Sequence, residues 1–348
     1  MKTGKSISEW AAELDRQNAA KRDYIADTRE LSLSETGNLV MKLGDSSTEF
    51  SVTDSTHRQI GTRLKIPATY YDRMRSEYPE LLAQNVNTLF QQEPETRLVR
   101  TMNTHARAFL SSKYRCLDNY DLSQAALPVL SNVPDMRIES CEITESRLYI
   151  KALFPRIEGE IAKGDVVQSG IVISNSEIGK GSLRVEPLIF RLVCLNGMIA
   201  ADHGTKKYHV GRVADGGESA YEIYRDETLE ADDRAFWLKV QDTIRASVNT
   251  DSFEKIVAGM RKTKEMRIQA DPVKVIERVQ KHFSLNDDEK GGVLRHLIEG
   301  GDLSGYGLLN ALTRTSQDIA DYDRATDFER MGGQIIELNN DQWKLLAA

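Results

Sequence analysis

Residues 97–131 read RLVRTMNTHARAFLSSKYRCLDNYDLSQAALPVLS, and the change of period within them decides the fold class. Leu98-Val99-Arg100-Thr101 and Arg107-Ala108-Phe109-Leu110-Ser111 alternate around Asn103-Thr104-His105, which predicts a β-hairpin. Over 118–131 the period becomes helical, with Leu122, Ala125, Ala126 and Val129 on one side. Strand period returns at 137–143, 147–154, 166–174 and 183–195, and a further β-rich stretch spans 206–224.

Upstream, 6–27 reads as one helix that Ser6 or Ser8 can cap, with Trp10, Ala11 and Leu14 on one face. Runs 38–43 and 48–52, divided by Gly44-Asp45-Ser46-Ser47, predict a second hairpin. Helices are expected at 55–64, from 68 to 75, and from Pro79 to about Phe90. Downstream of Glu230 the chain is mainly helical, with breaks near Thr250, Asp271-Pro272, Asn286 and Gly300-Gly301, and a short strand at 334–338. Strands gathered in one block around an inserted helix, between helical flanks, indicate an α+β fold with an antiparallel, β-β-β-α-like core. Three regions are expected: an N-terminal helical and hairpin region 1–96, a central core 97–228 and a helical C-terminal region 229–348.

Apolar residues at 40% and charged residues at 28% are globular values, so a large core is affordable. No run reaches the roughly 18 apolar residues of a membrane helix, and 1–15 carries no signal-peptide core. A cytoplasmic protein is therefore expected. Cys116, Cys141 and Cys194 are scattered without a Cys-x-x-Cys pair, as in a reducing compartment. The net charge of −7 counts against bulk coating of DNA. It is unevenly spread: residues 97–213 hold 16 Lys+Arg against 12 Asp+Glu, a local excess of +4.

Several chemistries lack their residues. Gly179-Lys180-Gly181-Ser182 has Ser174 where a phosphate-cradling loop needs its first glycine, so a hairpin tip is expected. No Gly-x-Gly-x-x-Gly opens a helix. His203 and His209 with Asp202 are a sparse ligand set, and no metal or cofactor is expected. Asp118, Asp165 and Glu177 keep open a metal-dependent nuclease, the enzymatic alternative. A helix pair at 57–74 offers a duplex-DNA reader through Arg58, Arg63 and Lys65, or plain helical packing. The cationic stretch from Lys255 to Lys281 reads as a solvated face.

Polar residues are densest where strands turn. Arg107, Lys113, Arg115, Arg184, Arg191, Lys206, Lys207 and Arg212 can line a basic groove, with Lys180 at its glycine-rich tip. Tyr114, Phe190 and Tyr208 are then available for base stacking. Alternatively, strand alternation puts the cations on a solvated face and the aromatics in the core.

The segments Arg-Ala-Phe-Leu-Ser-x-x-Tyr-x-x-x-Asp-Asn (107–119), Asn-Ser-Glu-x-Gly-x-Gly-Ser-Leu-x-Val-x-Pro (175–187) and Arg-Leu-Val-Cys-x-Asn-Gly-Met (191–198) resemble a phage- and plasmid-related family. That family is known only as a domain of unknown function (family 932). Leu309–Thr313 and Gly332–Ile336 resemble it too, and the likeness covers roughly 35–345. It implies a mobile-element setting without an assigned chemistry. A fainter likeness joins 113–119, the helix 122–130 and the strand 136–143 to the ERF/Sak-type, Redβ, RecT and Rad fifty-two single-strand annealing proteins. This implies a non-enzymatic protein that binds single-stranded DNA and assembles into rings or filaments. An antirestriction or anti-defence protein acting on a host defence or recombination protein is the alternative.

Overall fold

A computed structural model describes residues 1–114, 116–200 and 226–347. Helix α1 (Ile7–Ala20) starts at a capping box in which Ser6 accepts from the Glu9 amide and Glu9 reaches back to the Ser6 backbone. It is shorter than the helix expected over 6–27. Residues Lys21–Asp27 form strand β1 instead, because each of them pairs with a strand far along the chain, and that ladder overrides local propensity.

A single 3₁₀ turn leads into β2 (Leu31–Leu33), and β3 (Leu39–Leu43) pairs with β4 (Ser46–Val52) as the expected hairpin. Helices α2 (Asp54–Arg63), α3 (Ala68–Glu77) and α4 (Pro79–Gln92) follow, then the hairpin of β5 (Thr96–Met102) and β6 (His105–Ser111). Together these strands make a six-stranded sheet in the order β1-β5-β6-β4-β3-β2. Its pairs are antiparallel except β4 with β6. Ile60, Tyr71, Leu82 and Phe90 of the helices share a core with Leu39, Met41, Phe50 and Val99 of the sheet. Because β1 pairs with β5, hydrogen bonds of this sheet cross the expected boundary at 96/97.

Helix α5 (Asn119–Ser131) then carries the chain to a second sheet. Strands β7 (Arg137–Ile143), β8 (Leu148–Glu160), β9 (Val166–Asn175), β10 (Arg184–Arg191) and β11 (Asn196–Ile199) form an antiparallel meander in sequence order. The strands before and after α5 thus belong to different sheets, within the α+β class that the strand pattern indicates. One face of the second sheet is covered by α1, α5 and α6 (Asp226–Ser247), where Trp10, Leu122 and Phe236 meet Ile150, Ile171 and Ile173. The opposite face lies under the C-terminal helices. Every residue of β8 from Leu148 to Phe154 is buried, which explains its nearly unbroken apolar run. The β-rich stretch 206–224 lies outside the described residues.

Helices α7 (Thr250–Thr263), α8 (Pro272–Phe283), α9 (Asp287–Gly300) and α10 (Gly305–Thr315) begin near the anticipated breaks, whereas the breaks before α11 (Tyr322–Glu337) and α12 (Asn340–Ala347) are not among those expected. The strand expected at 334–338 is the last part of α11. Phe328, Met331 and Ile335 are all buried at helical spacing, and that stripe outweighs a short apolar run that fits either period. At Gly333 a β-carbon would stand 2.0 Å from the Ile199 carbonyl oxygen, so glycine is what lets α11 lie directly on β11. No described helix is long and apolar enough to cross a membrane.

One charge interrupts the buried strand β8. Lys151 Nζ donates to Glu329 Oε2 of α11 at 2.6 Å, both side chains are wholly buried, and the ammonium sits 4.8 Å from the Tyr322 ring centre. Removing one partner leaves an uncompensated buried charge. Glu329→Ala is expected to cost about 3–5 kcal/mol in urea unfolding, while Lys151→Met with Glu329→Leu recovers most of it. A single-variant loss under about 1 kcal/mol would mean that the pair is not a buried ionic contact.

Candidate functional site

The segments 107–119 and 175–182 meet where the two sheets join. Strand β6 presents Arg107, and the loop leaving β9 presents Ser176 and Glu177. Glu177 is 5% exposed; it accepts from Arg107 Nη2 and, at 2.6 Å, from the Asn119 amide. That amide opens α5, so Glu177 caps the helix from another sheet and places negative charge at its N-terminus. Asn175 Nδ2 donates to Leu117 O at 2.7 Å and to Asn119 Oδ1 at 2.9 Å. Gln59 of α2 donates to Ile178 O and accepts from the Phe109 amide, both at 2.7 Å.

Arg100, 1% exposed in the middle of β5, sits at the centre of this junction. Its Nε donates to Asp23 Oδ1 at 2.9 Å, Nη2 to Asp118 Oδ1 at 2.6 Å and Nη1 to Glu177 O at 2.9 Å. Lys21 Nζ donates to Asp118 Oδ2 at 2.5 Å. Three cations (Lys21, Arg100, Arg107) therefore face three carboxylates (Asp23, Asp118, Glu177). Burial alone would push the Asp118 carboxyl up, but Arg100 and Lys21 hold it below the usual range. Burial pushes the Cys116 thiol up to about 12, so it stays protonated and donates to Asp23 Oδ2 at 3.5 Å. A thiol in that state is no nucleophile.

The structure brings some of the sequence-predicted residues together and separates others. Arg107, Lys113, Tyr114 and Lys180 all lie at the junction. Tyr114 is partly buried, with its hydroxyl 3.5 Å from Ser176 O, whereas Lys113 and Lys180 are exposed. Arg184 is close by at the start of β10, opposite Ser174, with its side chain 36% exposed. Arg191 stands at the far end of the same strand. It bonds both oxygens of Asp165, at 2.6 and 3.0 Å, and its guanidinium lies 5.5 Å from the Tyr306 ring centre. Arg107 and Arg191 thus spend their charge inside the protein. Phe190, 1% exposed, is a core residue and is not available for stacking. Arg115, Lys206, Lys207, Tyr208 and Arg212 lie outside the described residues.

Asp118 and Glu177 share the junction, but Asp165 is held by Arg191 at the opposite end of the sheet, so these three carboxylates do not converge. Among the described residues, no group of three or more His, Cys, Asp or Glu side chains is placed to hold a metal ion.

A family model described as Domain of unknown function (DUF932) matches residues 107–333, about two thirds of the chain. The chain belongs to the DUF932 family. No curated protein and no solved structure matches it. The DUF932 match begins at Arg107 itself. It includes Asp118, Asn119, Asn175 and Glu177, while Lys21, Asp23 and Arg100 come from the chain ahead of it. The junction thus joins the DUF932 region to the first sheet.

Arg100, Asp23 and Lys21 were not among the sequence candidates. The available signal was an arginine next to the apolar pair Leu98-Val99 inside a strand, together with the Asp118 and Glu177 carboxylates. Spacing along the chain does not say that those three meet.

The pH dependence of the junction follows from the carboxyl held low. Its stabilising effect is present above the ordinary carboxylate range and fades as pH falls through the folded value. Asp118→Asn is expected to be less stable than the parent near pH 7, with the gap closing between about pH 5 and pH 2 in denaturant titrations. Stability curves that stay parallel across that range would remove Asp118 from the acid response.

Proposed function

We propose that this DUF932 protein binds single-stranded DNA at the rim of the inter-sheet junction and promotes annealing of complementary strands, acting in the cytoplasm of a cell that hosts a phage or mobile element. The observation that carries this reading is the exposed cationic rim around the 176–183 loop. Lys113 follows β6, Lys180 is at the loop tip, and Arg184 opens β10. Arg147 lies beside them, donating from Nη2 to Lys180 O at 2.5 Å. The sequence likeness to annealing proteins supports the same reading. No catalytic group is needed: cations hold phosphates, and a second strand pairs with the displayed bases. Self-assembly into rings or filaments would raise affinity by placing many weak sites along one strand. Arg107 and Arg191 enter as positioning residues, because their guanidinium groups are bound to carboxylates.

A second reading, protein binding in an anti-defence role with a host defence or recombination protein as partner, is favoured by that internal neutralisation and by the net charge of −7. Salt separates the two. Fluorescence anisotropy with a labelled single-stranded oligonucleotide and duplex competitor is expected to show salt-sensitive, single-strand-preferring binding. Lys113→Glu/Lys180→Glu/Arg184→Glu should lower affinity at least tenfold and reduce the log–log salt slope by about 2, at roughly 0.7 per phosphate contact. Absence of binding at low salt overturns the DNA reading and leaves the protein-binding one.

A further inference from the structure

In the first sheet's own layer, ahead of the matched region, a cavity of about 190 Å³ opens between the β3–β4 hairpin and helices α2, α3 and α4. Its walls include Asn38, Ser51, His57, Arg75 and Leu82. His57 is 3% exposed and Tyr71 beside it is 2% exposed, with His57 Nδ1 and the Tyr71 hydroxyl 3.0 Å apart. The Tyr71 hydroxyl has no other partner among the described residues. A buried hydroxyl keeps its proton satisfied by donating it, so Tyr71 donates to Nδ1. The imidazole proton is then on Nε2, and that N–H has no acceptor among the described residues. Burial, helped by the positive Arg75, lowers the His57 pKa to about 4, so the ring is neutral near pH 7.

Gly37 keeps the ring edge accessible. Its φ of +80° favours glycine, and a β-carbon there would stand 3.8 and 3.9 Å from Cε1 and Nε2. The second donor is Arg75. Its Nη1 bonds Asp54 Oδ1 at 2.8 Å, on the outside where Asp54 is 79% exposed, and its remaining nitrogens have no partner among the described residues. The other polar wall groups are already engaged: Asn38 Nδ2 donates to Glu49 at 2.9 Å, and Ser51 Oγ is bonded to His105. The cavity therefore offers two open donors, one of them cationic, and no carboxylate lines it.

We propose that this cavity binds a small oxyanion, a phosphate or carboxylate group, with the Arg75 guanidinium supplying the charge and His57 Nε2–H the directed hydrogen bond. At about 190 Å³ it accepts a single such group with a few attached atoms, such as a phosphomonoester, and not a continuous polymer backbone. This site is independent of the DNA-binding rim.

The test uses the full chain and two probes, inorganic phosphate and acetate, titrated at constant ionic strength with thermal unfolding and long-range ¹H–¹⁵N correlation of His57 as readouts. Saturable stabilisation by either probe is expected, with a shift of the His57 Nε2 resonance. Arg75→Gln, at a partly exposed position, should weaken the response at least tenfold, while Asp54→Asn should keep or strengthen it. A phosphate-specific response identifies a phosphoryl ligand, and comparing oligonucleotides with and without a 5′-phosphate separates a strand end from a free metabolite. An acetate-specific response identifies a carboxylate. No response to either anion, or an Arg75→Gln response equal to the parent's, overturns the site; neither result bears on the rim, because both are read in the phosphate and acetate titrations, which contain no oligonucleotide.

Discussion

Arg100 is buried in the central part of β5, yet it carries a full charge that its surroundings must match. A guanidinium presents five fixed donors and cannot escape by losing its proton, so its partners have to be brought to it. They come from three places: Asp23 on the neighbouring strand β1, Asp118 at the entry to α5, and the Glu177 carbonyl beyond the end of β9. Meeting that requirement brings the second sheet against the first and fixes the start of α5 at their junction. Glu177, whose backbone serves Arg100, uses its side chain to hold Arg107 and to cap α5. The two sheets are thus joined by directional polar contacts, with apolar cores on either side, and such contacts specify one arrangement more narrowly than apolar packing does.

Covering both faces of the second sheet has a direct effect on where positive charge can lie. A sheet with one wet face can display cations along its strands; one enclosed by helices cannot, and its charges are driven to the strand ends. Arg191 and Asp165 occupy one end and Arg184, Arg147 and Lys180 the other. At the first end the charge is cancelled by a neighbouring carboxylate. At the second, Lys180 faces water beside a loop while Arg184 is partly exposed and lies 3.8 Å from the Glu186 carboxylate, which is why the proposed contact with phosphates is a rim and not a groove across the sheet.

Much of the fold is legible in the chain. The hairpins at 39–52 and 96–111, the helix 119–131 and the breaks between the helices from α6 to α10 follow from period and from turn and capping residues. Two assignments fail for one reason: local period does not see distant partners. Residues 21–27 continue a helical pattern but pair with β5, and 334–338 has the composition of a strand but completes the buried stripe of α11. The site is legible in part. The segments 107–119 and 175–182 stand out by composition and do meet, but whether an arginine is spent on a carboxylate or left to solvent depends on tertiary neighbours. Arg107 and Arg184 look alike in sequence, but Arg107 is held by the buried Glu177 with its side chain 11% exposed, whereas Arg184 is 36% exposed and makes a looser contact with Glu186 at 3.8 Å. The helix pair at 57–74 also gains a distinct meaning in three dimensions, since His57 and Tyr71 face each other across it.

The pairing of Lys151 with Glu329 also sets an order of events during synthesis. The two residues are 178 positions apart, a separation that a ribosome adding 5–20 residues per second takes about 10–35 s to cover. Throughout that interval strand β8 of the second sheet carries an ammonium whose counter-ion has not yet been made. The strand order of that sheet can form early, since its strands are consecutive, but its second face cannot close on a bare charge. The final collapse of this layer is therefore tied to the emergence of α11. The nascent chain spends those seconds with an apolar sheet face open, which is the state in which a folding chaperone has something to hold.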